Sequence, residues 1–175
     1  MRKHFSDKLW AAIQPVYILS VYDENGGVNA LVTSCGSIYH QNSVCVKICN
    51  EHTFAEDLLK KGYFSMNLVD AAHVYECDLI TGSKDHDSLA KAGLHVVKEE
   101  NLPIIEESTV SFVCKLTDYN QESGILTADV LDISVDERCL SDGEVDLSKI
   151  DPITNNPFTE EYVRIGEVVG NALKK

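Results

Sequence analysis

Two polar clusters in this chain have the residue types to bind a phosphorylated ligand. The first is Asn29-Ala30-Leu31-Val32-Thr33-Ser34-Cys35-Gly36-Ser37, too polar for a core strand and too apolar and β-branched for an ordinary loop. The second is Asn50-Glu51-His52-Thr53, which leads from the strand Val44 to Cys49 into a helix opened by Thr53-Phe54-Ala55-Glu56. Hydroxyls and backbone amides beside a helix N-terminus favour an anion, because the first-turn amides lack partners and the helix dipole is positive there. No side chain in either cluster is assigned as a catalytic acid, base or nucleophile.

The other reactive residues are less organised. The six cysteines are 35, 45, 49, 77, 114 and 139. On a strand, Cys45 and Cys49 lie about 13 Å apart, too far to share a metal or a disulfide. His73 and Cys77 fall on one helix face, but a second ligand pair at matching spacing is missing, so no metal is assigned. Asp85-His86-Asp87 reads as solvated loop charge. Cys35 lies beside the first cluster without a resolving cysteine next to it. The chain has no glycine-rich dinucleotide fingerprint, no phosphate-binding P-loop and no local signature of a catalytic triad.

The elements that must position these residues are mostly strands. Ser6 caps a helix from Asp7 to Ile13. Val16 to Tyr22 and Val28 to Ser34 form a hairpin around Asp23-Glu24-Asn25-Gly26-Gly27. Val44 to Cys49 is a third strand. Thr53 and Glu56 fit a capping box, with Lys60, Lys61 and Gly62 closing that helix. Tyr63 to Val69 is a strand, Ala71 to Ile80 a helix, and a short helical turn ends at Gly93. Leu94 to Val97 is extended and the stretch around Pro103 a loop. Val110 to Tyr119 and Ile125 to Val135 form the longest hairpin. The acidic Leu140 to Thr159 stretch is turn-rich, and Tyr162 to Gly170 is extended. Hairpin-joined strands with inserted helices predict a mainly β fold, an antiparallel barrel with peripheral helices, in one domain spanning residues 1–175.

Composition narrows the partners. With 28 acidic and 15 basic residues the net charge is −13, which repels nucleic acid. No apolar run is long enough to span a membrane, and Met1 to Trp10 lacks the apolar core of a signal peptide. The expected location is cytoplasmic, with free thiols.

The ordered segments resemble the flavin reductase-like family of FMN-binding split barrels, flavoredoxin-type proteins included. The residues that carry the likeness are Pro15-Val16-Tyr17-Ile18-Leu19, Asn25-Gly26, Asn29-Ala30, Thr33-Ser34, Val44-Cys45-Val46-Lys47-Ile48 and Thr53. It continues in Gly62-Tyr63-Phe64-Ser65-Met66-Asn67-Leu68, Gly82-Ser83-Lys84-Asp85, Ala92-Gly93-Leu94 and Ile165-Gly166-Glu167-Val168-Val169-Gly170. The resemblance implies an antiparallel split β-barrel that forms a homodimer and holds FMN near the subunit interface. The segment Asn29, Ala30, Leu31, Val32, Thr33, Ser34 and Cys35 would line the ring and ribityl chain. Asn50, Glu51, His52 and Thr53 would reach the phosphate, with Lys84 nearby.

Where family members often carry a basic residue before the position of Thr53, this chain has Asn50-Glu51-His52. The candidates to replace it are His52, Lys84 or a partner-subunit group. After the aspartate of the middle segment, His86-Asp87-Ser88-Leu89 stands where the family has a lysine-aromatic pair. The implied activity is electron transfer from NADH, NADPH or a redox protein through flavin to a small or protein acceptor. The alternatives are an electron carrier or flavin store without NAD(P)H oxidase activity, and a cofactor-free interaction domain.

Overall fold

The computed structural model describes residues 14–40, 42–48, 53–83, 87–99 and 102–170. The expected helix from Asp7 to Ile13 lies outside them. Seven strands form one antiparallel sheet: β1 (Tyr17–Tyr22), β2 (Val28–Thr33), β3 (Gly36–His40), β4 (Ser43–Lys47), β5 (Tyr63–Leu68), β8 (Val110–Asn120) and β9 (Ile125–Val135). Their order is β2-β1-β5-β8-β9-β4-β3. Thus β2 and β3, consecutive in sequence, are the two ends of the sheet. Only Ser34 and Cys35 separate them, so the chain from Thr33 to Gly36 spans at most about 11 Å. A seven-stranded sheet whose ends are tied this closely must curl on itself. This is the mainly β, antiparallel split barrel expected from the sequence.

The seam between the two ends is hydrogen-bonded. Thr33 Oγ1 donates to the Lys47 carbonyl (3.2 Å) and accepts from Cys35 N–H (3.0 Å), while Lys47 N–H donates to the Cys35 carbonyl (2.8 Å). Curvature is helped by two register shifts between β8 and β9, at Val113/Cys114 and Leu116/Asp118. Such bulges bend a strand and increase its twist.

Inward-facing residues alternate along the strands: Leu19 and Val21, Phe64 and Met66, Leu126 and Ala128. Helix α1 (Thr53–Lys61) plugs the barrel with Phe54, Ala55 and Leu58. Full burial of side chains like Phe54 and Leu58 contributes about 1.5–3 kcal/mol each. Gly62 ends α1 with φ +72°, and its N–H caps the Leu58 carbonyl (2.7 Å).

The opposite faces of β1, β2 and β5 are covered by a second layer. It comprises α2 (Val74–Gly82), α3 (Ser88–Ala92) and the hairpin of β6 (Val96–Glu99) and β7 (Leu102–Ile105). Val16, Ile18 and Ala30 meet Cys77, Ile80, Leu89 and Ile105 there. The rest of the chain forms a 3-10 turn (Glu137–Cys139), the small pair β10 (Leu140–Ser141) and β11 (Glu144–Val145), α4 (Leu147–Ile150), and the hairpin of β12 (Ile153–Asn156) and β13 (Glu161–Arg164).

Several expectations change. Pro103 lies within β7, not in a loop. Its missing N–H costs nothing on this outer strand, and its carbonyl accepts from Ser20 Oγ (2.9 Å) and Ser65 Oγ (2.5 Å). Strand β3 was not expected. The helix predicted from Ala71 begins at Val74, because Asp70 Oδ1 captures Ala72 N–H (2.9 Å) and His73 Nδ1 (2.8 Å) in a turn. Of the expected extended segment Tyr162 to Gly170, only Tyr162, Val163 and Arg164 are in a strand. No described helix is long and apolar enough to cross a membrane.

Candidate functional site

The first cluster is the barrel seam. Because β2 pairs only with β1 and β3 only with β4, each has one side of its backbone outside the sheet ladder. Every second amide and carbonyl along those sides points away from a strand partner. The side chains divide by strand alternation. Asn29 (1% exposed), Leu31 and Thr33 face the barrel and α1, whereas Ala30 and Val32 pack on the outer layer. Ser34 is half-buried and Cys35 exposed. A ligand at the seam would therefore meet β2 through its backbone, and meet side chains chiefly at Ser34 and Cys35.

Asn29 acts inward. Its Nδ2 donates to Thr53 Oγ1 (3.0 Å) and to Asp57 Oδ2 (3.0 Å), tying the seam to the first turn of α1. The structure thus joins two residues from the two predicted clusters by a direct hydrogen bond. Thr53 is the first residue of α1 rather than a residue ahead of it, and its hydroxyl receives Asn29. Asn50, Glu51, His52 and Lys84 lie outside the described residues.

Sequence reasoning missed Asp57, whose carboxylate is buried (6% exposed), and Lys47, whose backbone closes the seam. Asp57 at i+4 from Thr53 shares its helix face, which was the available signal. Nothing in the local sequence marks a carbonyl such as that of Lys47.

A flavin fits this arrangement. Its polar ring edge needs backbone donors and acceptors with close access, which the unladdered sides of β2 and β3 present. Its phosphate needs a positive dipole end, which the N-terminus of a nine-residue helix presents. Among the described cysteines all are free. Burial pushes the Cys77 and Cys114 thiols up to about 12, so neither forms a reactive thiolate at neutral pH.

Comparison with known proteins agrees with this geometry. Residues 11–146 match the flavin reductase like domain, and the chain belongs to that family, one of flavin-binding oxidoreductases. The fold superposes on flavoredoxin of Desulfovibrio vulgaris (Miyazaki F) with a TM-score of 0.90 and 25% identity, covering 98% of this chain and 97% of that one. Flavoredoxin from Methanosarcina acetivorans gives 0.85 and 21%, covering 99% and 96%. An FMN-binding domain of a flavin reductase-like enzyme from Shewanella baltica OS155 gives 0.80 and 15%, covering 90% and 89%. No curated protein matches the sequence.

Proposed function

We propose that this chain binds FMN along its barrel seam and passes electrons from NADH, NADPH or a redox protein to a small or protein acceptor. The observation that carries this reading is the Asn29 bridge. It ties β2, whose other backbone side is unladdered, directly to the N-terminal turn of α1. When bound, FMN supplies the two-electron redox chemistry. The backbone of β2 and the Ser34 hydroxyl orient the polar edge of the ring. The N-terminus of α1 faces the phosphate, and Asn29 with Asp57 keeps that turn in place. The chain supplies position and hydrogen bonds, and no side chain is required as an acid or base.

The functional unit is a homodimer in this reading. Ile38 on β3 is 71% exposed and Ile133 on β9 54% exposed, although both point to the concave side of the sheet. The extended segment after β13 leaves Val168 and Val169 almost fully exposed. A second copy covering these residues would also border the seam.

Fluorescence titration of purified protein with FMN, followed by anaerobic mixing with NADH and NADPH, tests the proposal. The expected result is saturable quenching at one FMN per chain and bleaching of the bound flavin by a donor. Protein that stays colourless and fails to quench FMN would sink it. Bound flavin that neither nicotinamide reduces would point to the carrier or store instead. If the Glu51 carboxylate opposes the phosphate, Glu51→Lys should tighten FMN about tenfold while leaving riboflavin unchanged, by replacing a negative charge with a positive one. Equal FMN affinity in the two proteins would place that carboxylate away from the phosphate.

A further inference from the structure

We propose that the outer face of the barrel carries a second small-molecule site, separate from the seam and shaped for a planar aromatic anion. The β6–β7 hairpin covers this face over Ser20, Ser65 and Asn67, with Ile105 packed beside Ile18 and with Leu102 and Ile104 against Val113. Beyond Leu102 the face is open, leaving a groove of about 300 Å³. Tyr22, at the end of β1, and Tyr63, at the start of β5, form its aromatic walls. Continuing the Ser20–Ser65 register by two residues sets these tyrosines opposite each other. Val113 and Leu131 complete the apolar lining, and Leu131 projects here because the β8–β9 register shift leaves it without a direct partner.

The charge selects the ligand. Lys61, the last residue of α1, lines the groove and makes no ion pair among the described residues. Lys115 Nζ stands 5.9 Å from the centre of the Tyr63 ring. Asp23 follows Tyr22 in the chain and accepts from Asn25 N–H (2.8 Å) and Gly27 N–H (2.7 Å), and two further acidic residues are on β9. Asp129 lies across from Lys115 but accepts from Ser43 Oγ (3.1 Å), and Asp132 lies across from Val113. Lys61 in the groove and Lys115 over the ring of Tyr63, which is 40% exposed, place two cations beside the tyrosines in a chain of net charge −13. A neutral aromatic would leave Lys61 unused, and an aliphatic anion would leave the rings unused. An aromatic carboxylate uses both, stacking on tyrosine and placing its charge at the ammonium. The groove volume suits one or two fused rings. It lies at the opposite end of α1 from Thr53, about 12 Å along the helix axis, so it does not depend on flavin occupancy.

Titration of the full chain with 2-naphthoate, followed by amide NMR shifts with and without FMN, tests the site. The expected result is saturable shifts at Tyr22, Tyr63, Val113 and Leu131, unchanged by FMN. The affinity should exceed that for 2-naphthalenemethanol and for cyclohexanecarboxylate by about tenfold. Lys61→Gln should weaken 2-naphthoate about threefold or more without affecting the alcohol. Leu131→Glu, at a position 55% exposed and outside the core, should abolish binding while the protein stays folded. The proposal is overturned by an absence of saturable shifts, by displacement on adding FMN, by equal binding of the neutral alcohol, or by undiminished binding to folded Leu131→Glu protein.

Discussion

Phe54→Ala is expected to lower folding stability by about 3–5 kcal/mol and to abolish flavin binding at concentrations that saturate the parent. Phe54 is fully buried at the second position of α1, inside the barrel with Leu58 and Phe64. Truncation leaves a cavity walled by sheet residues that strand pairing holds in place, so little collapse can offset the loss. The functional effect follows from its neighbour: Thr53 receives Asn29 and begins the turn assigned to the phosphate. With its anchor removed, α1 no longer holds that turn against β2. Urea midpoints give the stability change and FMN quenching the binding change. Phe54→Leu should lose only about 1–1.5 kcal/mol and keep most binding. A cost below about 1 kcal/mol for the alanine variant would show that the plug is dispensable.

Asn67→Ala should cost a comparable amount through polar rather than apolar loss. The Asn67 side chain is 1% exposed. It donates to the Ile18 carbonyl (3.0 Å), Ser20 Oγ (3.1 Å) and Ser65 Oγ (3.0 Å), two hydrogens shared among three acceptors. Its Oδ1 accepts from Ile105 N–H (3.2 Å) and Ser111 Oγ (2.9 Å). One amide therefore links β1, β5, β7 and β8. Its removal strips partners from buried groups at about 1–3 kcal/mol each, and because these losses do not add fully, the expected total is about 3–5 kcal/mol. The β6–β7 hairpin should loosen first. Hydrogen exchange at Ile104 and Ile105 is expected to accelerate more than at Leu126 in the barrel, and uniform acceleration would refute that order. Asn67→Asp should be no milder, since a buried carboxylate cannot donate to the Ile18 carbonyl.

Helix α1 was legible because Phe54 and Leu58 share a face, two lysines occupy its last turn, and a glycine follows. The β8–β9 hairpin was legible from its length and alternation. Strand β3 was not, because Gly36-Ser37-Ile38-Tyr39-His40 is a sheet edge with little apolar alternation to announce it. Strand β7 was hidden by Pro103, which signals a turn unless its carbonyl is known to be needed. The polar face Ser65-Asn67 of β5 looks solvent-facing in sequence, and only the tertiary structure shows a hairpin lying over it. At the candidate site, the sequence marked the segment but not the direction of its side chains. Asn29 was expected to line the ring and ribityl chain, and its side chain turns inward to hold the helix. What hid its role was Asp57, a partner distant in sequence.

The seam also bears on the order of folding. Barrel closure usually demands contacts between residues far apart in the chain, and these form slowly because the intervening loop must first be ordered. Here the ends of the sheet meet through Thr33 and Lys47, only 14 residues apart. The demanding step lies instead inside the sheet, where β4 must find β9 and Val46 must pair with Leu126. The seam side of the barrel can thus assemble early, as a local unit of β2, β3 and β4. The β4–β9 pairing, the most distant in sequence within the sheet, is then the step expected to limit closure of the whole barrel.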